Sequence, residues 1–314
     1  MLVSSLCSPG TLTENYDGPE PSYTDNLSEI TQNPDIHSVI VATPPSVRID
    51  LITELTNAGK HILLEKPIGR NLDEALQVVD ICEKAECTLG MLFQHQLRAT
   101  TLEARRLLSS GELGDPGLIE IAVPIWRDQS YYDELGRGTH ARDGGGVLMT
   151  HVIHMINLTL SLAAPVAQVQ AMTATTPLHT MEAEDYAVAG LRFTSGAVGS
   201  LIASTASYPH GTETITMHCQ HGSLKLTAEK LETSWRDGRR EIFPAELEDT
   251  SVVARSTPRH LWHQAIIKNF LESVSEGHDP MVAGRAALAS HHLIDAIKKS
   301  SKTTAAIDLT IEGK

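Results

Sequence analysis

Short apolar runs alternate with segments of helical spacing between residues 38 and 93. Continuous runs of this length, rich in β-branched residues, predict strands buried on both faces: residues 38–43, 61–64 and 88–93. Residues 46–58 and 71–85 instead space their apolar positions as amphipathic helices do, and Gly59 follows the first as a C-cap residue. Strands and helices that alternate at this spacing predict a parallel sheet with right-handed crossovers.

The pattern changes after about residue 97. A helix is predicted over 100–110, ending at Gly111, followed by a strand over 118–126 and a helix over 146–162. Residues 167–243 favour strands, and the alternation of Ile215, Met217 and Cys219 with polar neighbours indicates a sheet with one buried face. Further predicted elements are hairpin turns at 220–222 and 237–238, helices at 258–275 and 284–300, and a loop with one short helix at 9–35.

Together these elements predict an α/β protein. A parallel Rossmann-type sheet, N-terminally incomplete, is followed by an α+β domain with a large, mostly antiparallel open sheet. We place the domains at residues 1–97 and 98–314.

Composition narrows the class of protein. The chain has 314 residues, 41% of them hydrophobic, and a net charge of −14 without a basic cluster, which argues against nucleic-acid or membrane partners. The four cysteines form no CxxC pair, so neither a zinc site nor a disulfide framework is predicted. No apolar run is long enough for a membrane span, and the first residues lack a basic segment typical of a signal peptide. We therefore expect a cytoplasmic protein.

A charged pair, Glu65 and Lys66, ends the second predicted strand and precedes Pro67. Ligands of open α/β sheets bind where the strands end, and proline holds the residue before it in an extended conformation. A lysine placed there could donate a hydrogen bond to a substrate oxygen, and burial would lower its pKa. The alternative is a surface lysine near a turn.

A glycine-rich loop and a helix follow one another in Asp143–Leu162. The glycines allow close approach and are expected to leave bare N–H groups at the helix start. Helical spacing predicts a polar stripe along that helix: Thr150, His154, Asn157 and Ser161. His154 is a candidate proton carrier, although a lone helical histidine is more often structural. His151 and His154 have the spacing of a metal pair, but no third ligand is evident, so no metal is predicted.

A third candidate is the segment 126–143, which is rich in aromatic and basic residues. Such loops often line pockets, and its candidate substrate residues are Trp126, Arg127, Tyr131, Tyr132 and Arg137. A flexible surface excursion is an equally good interpretation of the sequence.

Three segments resemble the Gfo/Idh/MocA family of oxidoreductases. They are VIVATPPSVRIDLITELTNAGKHILLEKPIGRNLDEA at 39–75, GGGVLMTHVIHMIN at 144–157 and AGRAALASHHLIDAIKKS at 283–300. The similarity extends over nearly all of residues 20–310.

This resemblance implies a protein that uses NAD or NADP to oxidise or reduce a sugar, cyclitol or related hydroxyl compound. Lys66 stands at the catalytic lysine of the family's Glu-Lys-Pro motif, and His154 at the histidine of its Asp-x-x-x-His motif. The implied cofactor-binding residues are Ser8, Ala42, Thr43, Pro44, Pro45, Glu65, Lys66 and Pro67. The substrate would contact Lys66, His154 and the candidates of segment 126–143. The resemblance also implies a homo-oligomer, a dimer or tetramer formed through the C-terminal sheet.

The sequence departs from the family pattern in two places. Thr150 stands where the family usually has Asp, so it can hydrogen-bond but carries no charge. No strand followed by a GxGxxG turn is present, and residues 1–7 resemble the second Rossmann strand, with Ser8 where an acidic residue often binds ribose. Two interpretations follow: an oxidoreductase whose given sequence starts too far downstream or is truncated, or a non-catalytic sugar-binding or oligomer-forming relative that has lost dinucleotide binding.

Overall fold

The computed structural model of the chain describes residues 2–4, 22–244 and 259–309. Its N-terminal part contains five short strands and three helices. The strands are β1 (Leu2–Ser4), β2 (Ser22–Thr24), β3 (Ser38–Val41), β4 (His61–Leu64) and β5 (Leu89–Met91). The helices are α1 (Leu27–Thr31), α2 (Arg48–Asn57) and α3 (Leu72–Lys84). Strands β3, β4 and β5 form a parallel sheet in that order, as predicted, and β1 pairs with β2 in a separate parallel ribbon.

Two expectations for this part were wrong. Strand β3 is not buried on both faces, because Ile40 is 45% exposed while Val41 on the opposite face is 2% exposed. Within the described residues β3 pairs only with β4, so it lies at an edge of its sheet. Residues 22–24, predicted to be loop, form β2, which three residues are too few to reveal by alternation.

The C-terminal part is built on a sheet of nine strands. These are β6 (Pro116–Pro124), β7 (Val166–Ala174), β8 (Tyr186–Phe193), β9 (Val198–Ser204), β10 (Thr214–Cys219), β11 (Gly222–Leu226), β12 (Leu231–Trp235), β13 (Arg240–Phe243) and β14 (Ile307–Asp308). Their order is β13-β12-β11-β10-β6-β9-β8-β7-β14, and only β6 and β9 run parallel. The predicted fold class is confirmed.

Three helices pack against one face of this sheet: α4 (Ala99–Ser110), α6 (Ile153–Leu162) and α8 (Gly284–Thr303). Helix α5 (Gln129–Tyr132) has only four residues, and α7 (Arg259–Glu276) packs against β4 of the parallel sheet. Ile215, Met217 and Cys219 point into the core, as their alternation predicted. The opposite face leaves apolar side chains in solvent, including Met172, Val198 and Ile202.

Candidate active site

Lys66 and the start of α6 come together where β4 ends. Lys66 Nζ donates a hydrogen bond to the Thr150 main-chain oxygen at 2.7 Å. This bond joins the parallel sheet to the segment before α6, 84 residues further along the chain. The Glu-Lys-Pro segment and the glycine-rich segment 143–162, which were separate candidates in the sequence, are therefore in direct contact in the fold.

The Lys66 ammonium lies in a partly buried, mixed-charge environment. Burial lowers the pKa of Lys66; Glu65 and Asp143 oppose this shift, while the cations of Arg48 and Arg137 add to it. Burial also raises the pKa of Glu65, against the attraction of Lys66 and Arg48. A lysine with a lowered pKa can donate or release a proton more readily than a solvated one.

Arg48 fixes the two strand ends next to Lys66. Its side chain is 1% exposed, and its Nε and Nη2 donate to the Thr43 oxygen at 3.0 and 2.7 Å. Its Nη1 donates to the Pro67 oxygen, so one guanidinium spans the ends of β3 and β4. Burial lowers the pKa of Arg48 to about 10. Arg48 was not among the predicted site residues, although a charged side chain on the otherwise mostly apolar buried face of α2 could have indicated it.

The other candidate cofactor residues surround these strand ends. Ala42 and Pro44 are exposed, whereas Pro45 and Pro67 are buried. The Thr43 hydroxyl oxygen is buried and finds no hydrogen-bond partner among the described residues. A polar group of a ligand bound at the end of β3 could form the hydrogen bond that the Thr43 hydroxyl otherwise lacks. Ser8 lies outside the described residues.

The glycine loop is held by Glu184, a residue that no sequence pattern indicated. The Val147 N–H donates to the Glu184 main-chain oxygen at 2.7 Å, and the Leu148 N–H donates to its Oε1 at 3.2 Å. Gly146 packs so closely that an added Cβ would lie 1.7 Å from the Glu184 oxygen. Two N–H groups at this helix start, those of Val147 and Leu148, are therefore not bare, because a distant acidic residue accepts their hydrogen bonds.

The predicted helix 146–162 begins with a π-helical turn, Leu148–Val152, and becomes α-helical from Ile153. The Thr150 hydroxyl donates to the Gly146 oxygen at 2.7 Å and lies 2.7 Å from His151 Nδ1. A hydroxyl has one proton, so the proton of the second contact must come from Nδ1. His151 Nε2 is then left as an acceptor. Burial, with Arg127 and Lys66, lowers the pKa of His151 to about 3, which keeps the ring neutral.

His154 lies three residues after His151, in the first turn of α6. Its ring stacks on His95 at a centroid distance of 4.5 Å and meets the edge of Phe93 at 5.6 Å. Its Nδ1 is buried without a hydrogen-bond partner among the described residues. Burial, followed by the charges of His95 and Lys66, lowers the pKa of His154 well below its usual value. The His154 imidazole is therefore neutral.

Helix α8 forms hydrogen bonds with three parts of the site: α6, the glycine loop and the segment that follows Lys66. Ser290 accepts a hydrogen bond from Asn157 of α6 at 3.2 Å, and Lys298 donates to the Gly144 oxygen at 2.9 Å. His291 Nε2 accepts from the Ile68 N–H at 3.1 Å, two residues after Lys66. Burial lowers the pKa of His291 to about 3. These links cross large sequence separations, so local sequence patterns did not indicate them.

His291 makes stability depend on pH in a defined direction. The folded protein holds the ring neutral, whereas the unfolded chain binds a proton near pH 6.5, so stability falls as the pH drops from about 6.5 toward 3. We expect His291 to contribute a loss of about 1.4 kcal/mol per pH unit below pH 6. His291→Gln keeps an acceptor for Ile68 but does not titrate. Urea unfolding between pH 7.5 and 5 should show a shallower pH dependence for H291Q, and equal slopes would contradict this role.

The segment 126–143 packs beside His151, and its role as a pocket wall stays a prediction. The Tyr131 ring lies 6.0 Å from that of His151, and the guanidinium groups of Arg127 and Arg137 lie over the Tyr131 ring. Tyr132 is buried, and its hydroxyl donates to Thr205 Oγ1 at 2.6 Å, so it supports the segment from inside. The Trp126 indole donates to Asp128 at 3.1 Å, and its ring contacts Tyr208 and His179.

Across residues 2–4, 22–244 and 259–309, no three His, Cys, Asp or Glu side chains are grouped so as to hold a metal ion. None of the described helices combines the length and the apolar character that crossing a bilayer requires.

Two family models match the chain. The oxidoreductase family with an NAD-binding Rossmann fold matches residues 11–93, and this class agrees with the parallel sheet and the lysine at its edge. The GFO/IDH/MocA C-terminal domain matches residues 101–225. The chain belongs to the Gfo/Idh/MocA family, and the resemblance noted in the sequence is confirmed.

Relatives and solved structures agree with this assignment. An uncharacterized oxidoreductase, C115.03, of Schizosaccharomyces pombe is 27% identical over 51% of this chain, a match that spans only 44% of that protein. The 1,5-anhydro-D-fructose reductase of Ensifer adhaerens is 26% identical over 68% of this chain and 65% of its own length. The WlbA dehydrogenase of Bordetella pertussis, solved with NADH and UDP-GlcNAcA, is 26% identical with a TM-score of 0.77, covering 93% of this chain and 85% of that one.

Proposed function

We propose that the chain is an NAD- or NADP-dependent oxidoreductase that transfers hydride between nicotinamide and a sugar, cyclitol or related hydroxyl compound. The observation that carries the proposal is the Lys66 ammonium at the end of β4, bonded to Thr150 beside two neutral imidazoles. Relatives that act on sugars support the substrate class. Nothing in the comparisons favours the non-catalytic alternative.

The residues at the strand ends fit a nicotinamide cofactor. Thr43 offers a buried hydroxyl without a partner among the described residues, and its chain neighbours Ala42 and Pro44 are exposed. We assign cofactor contacts to these three residues together with Pro45, Glu65, Lys66 and Pro67, with Ser8 proposed from the family resemblance alone. When bound, nicotinamide supplies or accepts the hydride.

Lys66 and His154 divide the remaining chemistry between them. Lys66 donates a hydrogen bond to the reacting oxygen and stabilises negative charge on it. His154 is neutral and accepts the hydroxyl proton when the substrate is oxidised, and returns it on reduction. Thr150 positions two neighbouring side chains. Its carbonyl oxygen accepts a hydrogen bond from the Lys66 ammonium, and its hydroxyl oxygen accepts one from His151 Nδ1 and so fixes the tautomer of that ring.

The substrate side of the site would be formed by residues of segment 126–143: Trp126, Arg127, Tyr131, Tyr132 and Arg137. The division between the two domains would fall between residues 97 and 98.

The exposed apolar residues on the open face of the large sheet support a homo-oligomer formed through that face. Free, buried thiols at Cys82, Cys87 and Cys219 support a reducing, cytoplasmic location.

A spectrophotometric screen tests the proposed activity. The chain is incubated with NAD or NADP and a panel of aldoses, anhydro sugars and inositols, and absorbance of the reduced cofactor is followed. We expect turnover with at least one compound and its loss in Lys66→Ala. Turnover that persists at the wild-type rate in K66A would contradict the assigned chemistry.

A further inference from the structure

Two arginines of segment 126–143 lie over the ring of one tyrosine, Tyr131. The guanidinium carbon of Arg127 lies 5.5 Å from the centroid of the Tyr131 ring, and that of Arg137 lies 4.5 Å from it. The same ring neighbours His151, which is hydrogen-bonded to the residue that holds Lys66. An unbroken series of contacts therefore connects the two arginines with the reacting centre.

The two arginines differ in their charge partners. Arg137 is paired with Glu134, with Nη2 to Oε2 at 2.5 Å, and it also donates to the Tyr131 hydroxyl at 3.1 Å. In the part of the chain that the structure describes, Arg127 has no carboxylate within ion-pair distance. Its Nη1 donates to the main-chain oxygen of Trp126 at 3.0 Å. A half-buried guanidinium in this situation can still make a paired hydrogen bond to an anion.

Buried polar residues hold Arg127 in place. Its N–H donates to the Thr205 oxygen at 2.9 Å, and its own carbonyl oxygen accepts from His179 Nε2 at 2.8 Å. The other nitrogen of His179 pairs with Asp185 at 2.8 Å, and both of those side chains are fully buried. The backbone of Arg127 is thus fixed on both sides, as a binding residue must be if it is to select a ligand by geometry.

We propose that the substrate carries a carboxylate and that Arg127 binds it. The inference rests on the proposed function, because it places that group on the same substrate that Lys66 and His154 act upon. A carboxylate matches the planar fork of a guanidinium with two parallel hydrogen bonds. Glu134 pairs with both Arg137 and Arg142, and Glu65 and Asp143 lie near Lys66. The Arg127 guanidinium has no such carboxylate partner among the described residues, so its charge remains unmatched. One unmatched charge favours a carboxylate over a doubly charged phosphate.

The electrostatics of His151 agree with an excess of positive charge at this place. After burial, the groups that lower its pKa are Arg127, Lys66, Arg137 and His210. Its Nε2 is an acceptor, so a sugar hydroxyl next to the carboxylate can donate to it while Arg127 binds the anion. The site would then recognise a sugar acid by two complementary contacts.

Direct binding tests this inference without cofactor or turnover. Calorimetric titrations at one fixed ionic strength compare D-glucuronate, D-galacturonate and D-gluconate with D-glucose, D-galactose and D-glucose 6-phosphate. We expect at least one sugar acid to bind about tenfold more tightly than its neutral parent, which corresponds to about 1.4 kcal/mol. Arg127→Met keeps an unbranched side chain over Tyr131 but removes the charge, and should reduce the preference to within about twofold. Arg127→Lys should retain part of it.

Arg106→Met is the matched control, because Arg106 pairs with Glu103 on the surface of α4 and lies outside the site. R106M should keep the full preference for the sugar acid. Equal binding of acids and neutral sugars, no binding of any of them, or a preference that survives in a folded R127M would overturn the inference. An Arg127-dependent preference for the phosphate would overturn the assignment of a carboxylate. Turnover of neutral sugars that depends on Lys66 would leave the proposed function intact in each case.

Discussion

Replacing Lys66 with alanine is expected to lower kcat by about a thousandfold while the protein stays folded. The ammonium is the group that donates to the reacting oxygen, and its hydrogen bond to Thr150 fixes its position at the end of β4. The partly buried charge costs desolvation energy, which the alanine variant no longer carries, so its melting temperature should equal or slightly exceed that of the wild type. Steady-state kinetics and thermal melting measure the two effects.

Lys84→Ala provides the control for this experiment. Lys84 is exposed in the last turn of α3, and its loss changes the net charge by the same amount. We expect K84A to keep wild-type kcat and KM. A folded K66A enzyme with kcat within about tenfold of the wild type would show that Lys66 does not donate to the reacting oxygen.

Replacing Gly146 with alanine is expected to destabilise the fold by about 3 kcal/mol or more. The new Cβ would lie 1.7 Å from the main-chain oxygen of Glu184, so the backbone itself must move. That movement also breaks the hydrogen bonds by which Glu184 holds Val147 and Leu148. The start of the Thr150 segment shifts with them, so activity should fall together with the urea midpoint.

Gly117→Ala is the matched substitution for Gly146→Ala. An added Cβ at Gly117 has the His218 oxygen as its nearest described neighbour, at 3.9 Å, which is ordinary contact. Its urea midpoint should remain near that of the wild type. If G146A and G117A unfolded at the same midpoint, the close approach of the glycine loop to Glu184 would not contribute to the fold.

The features that the sequence predicted are set by local chemistry. Asn71 caps α3 through the Glu74 N–H, and Gly111 ends α4 with a positive φ, so both helix boundaries were visible from residue types. The position of Lys66 followed in the same way from a short apolar run that ends before a proline. The family motifs added the expected roles of Lys66 and His154, which stay predictions until they are measured.

The features that the sequence did not reveal depend on distant partners. Glu184 takes the N–H groups at the glycine loop, and His291 holds Ile68 across a separation of 223 residues. No periodicity marks such contacts, because they arise only when the helices and the large sheet pack together. The π-helical turn Leu148–Val152 could not be predicted either. Over only five positions, an α-helix and a π-helical turn have nearly the same pattern of apolar residues.

The most direct test of the account is a fluorescence titration of this chain with NADH and NADPH, with Lys66→Met measured alongside. We predict saturable enhancement of nicotinamide fluorescence for the wild type at submillimolar cofactor. K66M should still bind the cofactor, more weakly because one contact is lost, but fail to turn over the substrate found in the screen. If neither cofactor binds at millimolar concentration, the strand ends at Thr43 and Lys66 do not form a dinucleotide site and the oxidoreductase account is contradicted.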